Sequence, residues 1–291
     1  AHIWKTRGRQ FDSASGHKLK LSNKAKNVYS QLGEDGIIDA VLPFLDKNIG
    51  NLNCIEFGAW DGIHLSNSFN LISQGAKAIL IESDKEKFLD LIKTSERFPN
   101  IIPVNAFITK NGEGSLDNIL SKATNLEDSE FDLLSIDVDS RDNLNIWKSS
   151  LIRPSILIIE IETRFLPFEI LEDVINYKDD SPFEISNLFG ETYMYTKNLG
   201  YELIYCSNNM IFVKSEIYRK IQKNYKVSKK IHKLFDYRNF IKYRQISRKD
   251  LIKLYINNAS QFSFKYFLLK MSPRFIKSLY LKMFYYNGYN R

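Results

Sequence analysis

The residues best placed to do chemistry are two pairs of acids at alternate positions, Asp137 and Asp139 after one apolar run and Glu160 and Glu162 at the end of another. In an extended chain, side chains two positions apart point the same way, so each pair presents two carboxylates to one side. On neighbouring strand ends, all four would face one crevice. Such crowding is costly unless a proton or a cation is shared. The cluster therefore predicts either a hard divalent ion such as Mg²⁺, held by Asp137, Asp139 and Glu160, or a carboxylate with a raised pKa acting as general base. Asp137 is the first candidate for base or metal ligand, with Asp139 as its partner. In the competing reading, these acids cap helices or pair with Arg141, Arg153 or Arg164. His64 is a second candidate base, against a structural role at the start of a helix.

A second constellation would bind rather than react. In Ile55-Glu-Phe-Gly-Ala-Trp-Asp-Gly62, two glycines with three residues between them join an apolar run to a helical stretch. A glycine there lets a ligand touch the backbone. The spacing is not G-x-G-x-x-G, which removes support for a nicotinamide or flavin. Glu82 ends the next apolar run about twenty residues on, the place from which a carboxylate can accept the hydroxyl protons of a ribose. Turn and carboxylate together predict an adenosine site, whereas the turn alone would serve equally as plain structure. Trp60 and Trp147 could stack on a ring of adenine or sugar, or pack against the sheet.

These residues need strands and helices in alternation to position them. Asn53–Gly58, Ala78–Glu82, Ile101–Asn105, Phe131–Ile136 and Ser155–Glu160 read as short buried strands, the third with a proline that suggests an edge. Helical spacing follows over 65–73 and 84–93, one short helix fits 142–149, and another fits 185–198 with Gly200 as its C-cap. Tyr201–Cys206 and Met210–Val213 flank Ser207-Asn-Asn209, a hairpin turn. The predicted fold is α/β: a Rossmann-like, doubly wound, mostly parallel sheet with an antiparallel edge strand, plus an α-helical C-terminal appendage. No internal repeat is visible.

The Glu56-x-Gly58-x-x-x-Gly62 turn, Glu82 and the five-strand order resemble a class I S-adenosylmethionine-dependent methyltransferase. Tyr29-Ser-Gln-Leu-Gly-Glu-Asp-Gly36, the Ser66-Asn67 pair, Leu134-Ser-Ile-Asp-Val-Asp139 and Ile158-Ile-Glu160 are more specifically similar to the FkbM-like group and its polysaccharide-cluster relatives. The resemblance covers about residues 28–214. It implies a methyl donor across the carboxyl edge of the sheet. Glu56, Gly58 and Gly62 would hold the methionine side, Glu82 the ribose and Asn105-Ala106 the adenine edge, with Gln31, Ala59, Asp61, Ser83 and Asp137 as further cofactor-binding candidates. Ser30-Gln31 and Glu34-Asp35 would close over donor or acceptor. Two positions depart from the pattern: Glu162 stands where relatives often have Asn, and Ser140-Arg-Asp-Asn143 where they often have Gly-x-Asp-Tyr. The implied reaction is O-methylation, in which a base takes the hydroxyl proton as oxygen attacks the sulfonium methyl.

The chain has 291 residues, 44% hydrophobic and 26% charged, which excludes disorder, collagen and coiled coil as its main state. Its net charge of +7 is a sum of unlike blocks. Residues 1–29 carry seven Lys/Arg against one acid; 30–213 carry a net −16; 214–291 carry twenty Lys/Arg against three acids. Cys54 and Cys206 stand far apart with no metal-ligand spacing, as expected in a reducing compartment. No apolar run approaches the roughly 18 residues of a membrane span, and the start lacks a secretion signal's apolar core.

Beyond Glu216 the spacing is helical, and Phe262–Met271 and Phe275–Tyr286 mix aromatics with lysines as an interfacial helix does. Three parts follow: a basic arm over 1–29, a methyltransferase domain over 30–214, and a basic, aromatic-rich appendage over 215–291. The leading expectation is O-methylation of a sugar hydroxyl in a surface polysaccharide or lipid-linked glycan. The enzyme would be cytoplasmic, lying on the inner face of the membrane through C-terminal helices that bind anionic lipid, with nucleic acid disfavoured as a partner. The alternatives are an RNA or small-molecule methyltransferase, and a non-catalytic membrane adaptor that keeps the fold.

Overall fold

The computed structural model describes residues 18–123, 130–137, 143–165 and 187–228. Asp139, Arg141, residues 1–17 and the basic segment 229–291 lie outside the described residues.

The apolar runs form a seven-stranded sheet: β1 (Asn53–Phe57), β2 (Lys77–Glu82), β3 (Ile101–Asn105), β4 (Leu133–Ile136), β5 (Ile156–Glu160), β6 (Tyr201–Cys206) and β7 (Asn209–Lys214). The order across the sheet is β3-β2-β1-β4-β5-β7-β6. Strands β1 to β5 are parallel, and β7 runs antiparallel to both β5 and β6, so the reversal sits at the hairpin end of the sheet. Pro103 lies on β3, an outer strand, where its missing N–H removes no bond from the sheet interior.

Helices cover both faces. One face carries α1 (Glu34–Val41), α2 (Phe69–Ile72) and α3 (Lys85–Arg97), which bury Ile37, Ile38, Phe69 and Leu91 against Cys54, Leu80 and Ile158. The other carries α4 (Leu116–Ala123), α5 (Asn143–Ser149) and α6 (Phe189–Asn198), with Trp147 fully buried among Ile55, Leu134 and Leu157. Trp147 is therefore the tryptophan that packs against the sheet, while Trp60 remains 41% exposed.

Three boundaries differ from expectation. The helix expected over 65–73 is confined to α2, because Ser66, Asn67 and Ser68 spend their donors on Glu56 instead of on a helical turn. Helix α4, with Leu116, Ile119 and Leu120 on its buried side, was not foreseen. Residues 215–228 were assigned to an appendage, yet α7 (Ser215–Asn224) buries Ile217, Tyr218 and Ile221 in the same core as α1 and β7. Leu21 joins that core from the N-terminal side, so the described part of the basic arm forms a strap on the domain. Both cysteines are free and buried, and burial pushes the Cys54 thiol far above its ordinary pKa. Among the described residues, no helix is long and apolar enough to cross a membrane.

Candidate active site

In this strand order the chain turns one way from β1 to β2 and β3 and the other way to β4 and β5, so the switch point lies between β1 and β4. Ligands of open α/β sheets bind in the crevice outside the carboxyl ends of the strands at such a point. Gly58 and Asp137 follow Phe57 and Ile136, which are partners in register, and the Asp137 N–H donates to Phe57 O at 3.3 Å. Glu82 and Glu160 end β2 and β5 on either side.

The turn after β1 is bound to its neighbours at nearly every residue. The N–H groups of Gly58 and Ala59 both donate to Ile81 O, at 3.1 and 3.2 Å. Gly58 has φ +76° and is exposed, the state in which a ligand can reach its backbone. Ala59 is instead buried in the core. Gly62 also faces inward, since a Cβ there would lie 2.8 Å from Leu91 Cδ1 and 2.9 Å from Leu80 Cδ1. Asp61 Oδ1 accepts from the N–H groups of Ile63 (2.9 Å) and His64 (2.7 Å), closing an Asx turn.

Glu56 holds the same loop from below. Its Oε1 accepts from the Asn67 N–H (2.9 Å), and its Oε2 accepts from the Ser66 hydroxyl (2.6 Å), the Ser68 N–H (3.2 Å) and the Ser68 hydroxyl. Burial pushes its carboxyl above the ordinary carboxylate range, and these four bonds pull in the opposite direction. Of the three turn positions expected on the methionine side, Gly58 is exposed, while Glu56 and Gly62 are buried. Glu56 and Asp61 brace the loop, and Ala59 and Gly62 pack inward.

Glu82 is 5% exposed, its Oε2 accepting from the Trp60 N–H and its Oε1 from the Asp84 N–H, both at 2.8 Å. A carboxylate offers about four acceptor positions, so each oxygen keeps one for a ligand hydroxyl. Asn105, opposite Glu82 in register, donates through Nδ2 to Glu82 O (2.8 Å) and Ser83 O (3.3 Å), and the Ala106 N–H donates to Glu82 O (3.2 Å). A groove of about 580 Å³ adjoins them, lined by Val104, Asn105, Ala106, Phe107, Ile119 and Lys122 among others. Trp60 stands at φ +47° with His64 edge-on to its ring at 5.2 Å and Lys87 Nζ 5.3 Å from the ring centre. A left-handed backbone costs a bulky residue about 1–2 kcal/mol, the kind of strain found at functional loops.

The Ser30–Gly36 segment was expected to close over a ligand, and most of it is locked in the protein. Asp35 is fully buried, and its Oδ2 accepts from the N–H groups of Val28, Tyr29 and Ser30, each at 2.8 Å. Glu34, equally buried, accepts from the Leu32 N–H (2.7 Å) and the Ser207 hydroxyl (2.6 Å). Gln31 alone of the motif is exposed. These acids pin the N-terminal strap to the carboxyl edge of the sheet.

The acid cluster is smaller than its spacing suggested. Glu162 is paired with Arg164, whose side chain is 15% exposed and whose N–H also donates to Glu162 Oε1 (2.9 Å), so this carboxylate is spent locally. Arg153 donates to Ser150 O and Ile152 O (both 2.8 Å) rather than to an acid. Asp137 and Glu160 remain at adjacent strand ends. Among the described residues, no three His, Cys, Asp or Glu are grouped to hold a metal ion. His64 is exposed, on the outer side of the Trp60 loop.

Sequence reasoning missed the amides around Glu160. Asn187 Oδ1 accepts from the Leu144 N–H (3.0 Å), its Nδ2 donates to Glu160 O (3.4 Å), and its O accepts from the Glu162 N–H (2.9 Å), tying α5 to the end of β5. Asn143, fully buried, has neither side-chain polar atom hydrogen-bonded, and Asn209 Oδ1, beside Glu160 in register, has no partner either. Buried polar atoms left this way mark a place for water or a ligand. Isolated asparagines carry no periodic signal that could have revealed them.

No family model and no curated protein matches the sequence. Among solved structures, the chain is similar to TrmK of M. capricolum bound to S-adenosyl-homocysteine, at 12% identity over 84% of this chain and 96% of that one, with a TM-score of 0.39. It is similar to an O-methyltransferase from Bacillus cereus in complex with S-adenosyl-homocysteine, at 17% identity over 66% and 86%, with a TM-score of 0.37. It is similar also to monomeric WbdD, at 17% identity over 62% of this chain and 40% of that one, with a TM-score of 0.37. None of these likenesses assigns a role to a residue of this chain.

Proposed function

We propose that the chain is an S-adenosylmethionine-dependent methyltransferase that methylates an oxygen of a sugar in a polysaccharide or lipid-linked glycan. The observation that carries this reading is the row of groups at the carboxyl ends of the neighbouring strands β1, β2 and β3: the exposed Gly58 backbone, the Glu82 oxygens with acceptor capacity to spare, and the groove lined by Asn105 and Ala106. That donor and acceptor set fits an adenosine with a charged tail. Glu82 would accept from the ribose hydroxyls, Asn105 and Ala106 would border the base, and the Gly58 turn would border the tail.

When bound, the cofactor supplies a methyl group made electrophilic by its sulfonium. The protein's own part is to hold an acceptor hydroxyl at the ends of β4 and β5 and to take its proton, a task for Asp137 with Glu160 beside it. The buried amides of Asn143 and Asn209 suit a ligand rich in hydroxyls, which supports a sugar over an apolar acceptor. Membrane placement belongs to the same proposal, and the lysines and aromatics of the sequence over 229–291 would add to it.

Calorimetry with S-adenosylmethionine tests the donor side first. The wild-type chain is expected to bind, and Glu82→Gln, which keeps one acceptor oxygen, to bind about 10- to 100-fold more weakly, the value of a hydrogen bond to a charged group. A wild type that does not bind would sink the reading. Transfer of a labelled methyl group to candidate glycans, with and without a chelator, tests the rest. Transfer that survives the chelator leaves Asp137 as a plain proton acceptor; transfer that is lost assigns Asp137 and Glu160 to a divalent ion.

A further inference from the structure

The fold brings together two lysine-rich segments that lie about two hundred residues apart in sequence. Lys20 and Lys226 form an isolated parallel bridge, the Lys226 N–H donating to Leu19 O (2.8 Å) and the Leu21 N–H to Lys226 O (3.1 Å). Lys18 Nζ donates to Gln222 O (2.6 Å), which fastens the strap to α7. The strap exposes Lys18, Lys20, Lys24 and Lys26, and α7 with the residues after it exposes Arg219, Lys223 and Lys226. The acids at hand are Asp39, which lies within electrostatic reach of Lys26, Asp46, which is paired with Lys220, and Glu216, which opens α7.

We propose that this face, built from the Lys18–Lys26 strap and the α7 end, is a docking surface for an anionic lipid bilayer. Seven exposed cations on one side of a domain whose 30–213 block carries a net −16 make the molecule electrically polar, so that a negative surface both attracts the face and repels the rest. The composition favours lipid over nucleic acid. Six of the seven cations are lysines, compact charges suited to headgroup phosphates, and only Arg219 has the planar fork that reads bases and phosphates bidentately. Leu19 and Val28, 52% and 45% exposed, stand among the lysines as apolar groups that can enter the headgroup layer. Among the described residues of this face, the aromatics Tyr29 and Tyr225 are engaged with Phe69 and Phe44, so neither offers an open ring on which a base could stack.

Vesicle flotation of the full chain tests this without any turnover, so its outcome is independent of the methyl-transfer reading. The chain should float with phosphatidylcholine vesicles containing phosphatidylglycerol, and not with pure phosphatidylcholine. Each lysine near a charged bilayer contributes about a fivefold gain in binding, so Lys20→Gln/Lys24→Gln/Lys223→Gln should bind about a hundredfold more weakly. All three side chains are exposed, and circular dichroism should show an unchanged fold. Leu19→Ser should weaken vesicle binding and leave retention on a heparin column unchanged. A matched variant of the distal segment, Lys265→Gln/Lys270→Gln/Lys277→Gln, should lose less than the strap variant. Equal binding to neutral vesicles, a strap variant that floats like wild type, or tighter binding to an RNA oligonucleotide than to the charged vesicles would each overturn the proposal.

Discussion

Replacing Glu56 by Ala is expected to destabilise the domain by about 3–5 kcal/mol and to abolish the S-adenosylmethionine binding proposed for the crevice, as read by chemical denaturation and by calorimetry. Glu56 is 4% exposed and accepts from four donors on Ser66, Asn67 and Ser68. Alanine leaves the Asn67 N–H and two serine hydroxyls buried without their carboxylate acceptor, while the Ser68 N–H keeps only Ser66 Oγ at 3.2 Å, and it opens a cavity between β1 and the segment that leads into α2. The loop that carries Gly58, Trp60 and His64 is fastened at this end by those bonds, so its geometry is lost with them. Glu56→Gln separates charge from shape. Its carbonyl can still accept from Asn67, and the two serine hydroxyls can turn to accept from its amide, but the Ser68 N–H meets another donor. A cost of about 1–2 kcal/mol is expected, with the fold kept.

The same pair of variants has a defined pH signature. Burial raises the Glu56 pKa in the folded state above its ordinary value of 4.5. The folded protein therefore holds this proton more tightly than the unfolded chain does, and stability contributed by the neutral form is lost as pH rises from that value through the folded pKa. Wild type should show this falling contribution in denaturation midpoints taken across the acid range, and Glu56→Gln should lack it. An identical pH dependence in both would show that Glu56 ionises in the fold as easily as in water.

The strands were legible in the sequence because they rest on local pattern. Continuous apolar runs ending in Gly58, Glu82, Asp137 and Glu160 have the length and composition of buried strands, and in a parallel sheet their polar ends lie at one edge. Which carboxylate does what was not legible, because it depends on partners distant in sequence. Glu56, Glu34 and Asp35 have the same residue type and the same proximity to glycines as a ligand-binding acid. What makes them braces is the set of donors that the fold brings to them, from Ser66–Ser68, Ser207 and the Val28–Ser30 backbone. Glu162 likewise looked like a fourth site carboxylate until Arg164 closed on it two residues away. The α7 boundary failed for the opposite reason. Its basic exposed side dominated the charge count, while Ile217 and Ile221, only two residues in a four-residue spacing, were enough to bury its other side.

Gly36→Ala should cost about 3–4 kcal/mol, far more than an alanine at an ordinary helical position, where the change would stabilise. Gly36 lies in the first turn of α1 with no unusual backbone angle, so its requirement is for space. A Cβ there would sit 2.0 Å from Lys24 O and 2.6 Å from Lys26 N. Both neighbours are backbone atoms of the strap, fixed by the Gly36 N–H bond to Lys26 O (3.0 Å) and the Lys26 N–H bond to Gly33 O (3.3 Å), so neither can yield as a side-chain tip would. The strap must lift, taking with it those bonds and the burial of Leu21, which is 1% exposed. Gly75→Ala is the control. Gly75 has φ +107° with nothing within 4 Å of a Cβ, so alanine there bears only the backbone penalty of about 1–2 kcal/mol. Denaturation should rank the two variants in that order, and limited proteolysis should cut Gly36→Ala between Lys18 and Lys26 while sparing Gly75→Ala. Since the lifted strap would also carry its lysines away from α7, Gly36→Ala should lose vesicle binding with every lysine still present; a variant that is stable and floats like wild type would show that the strap does not need the close approach.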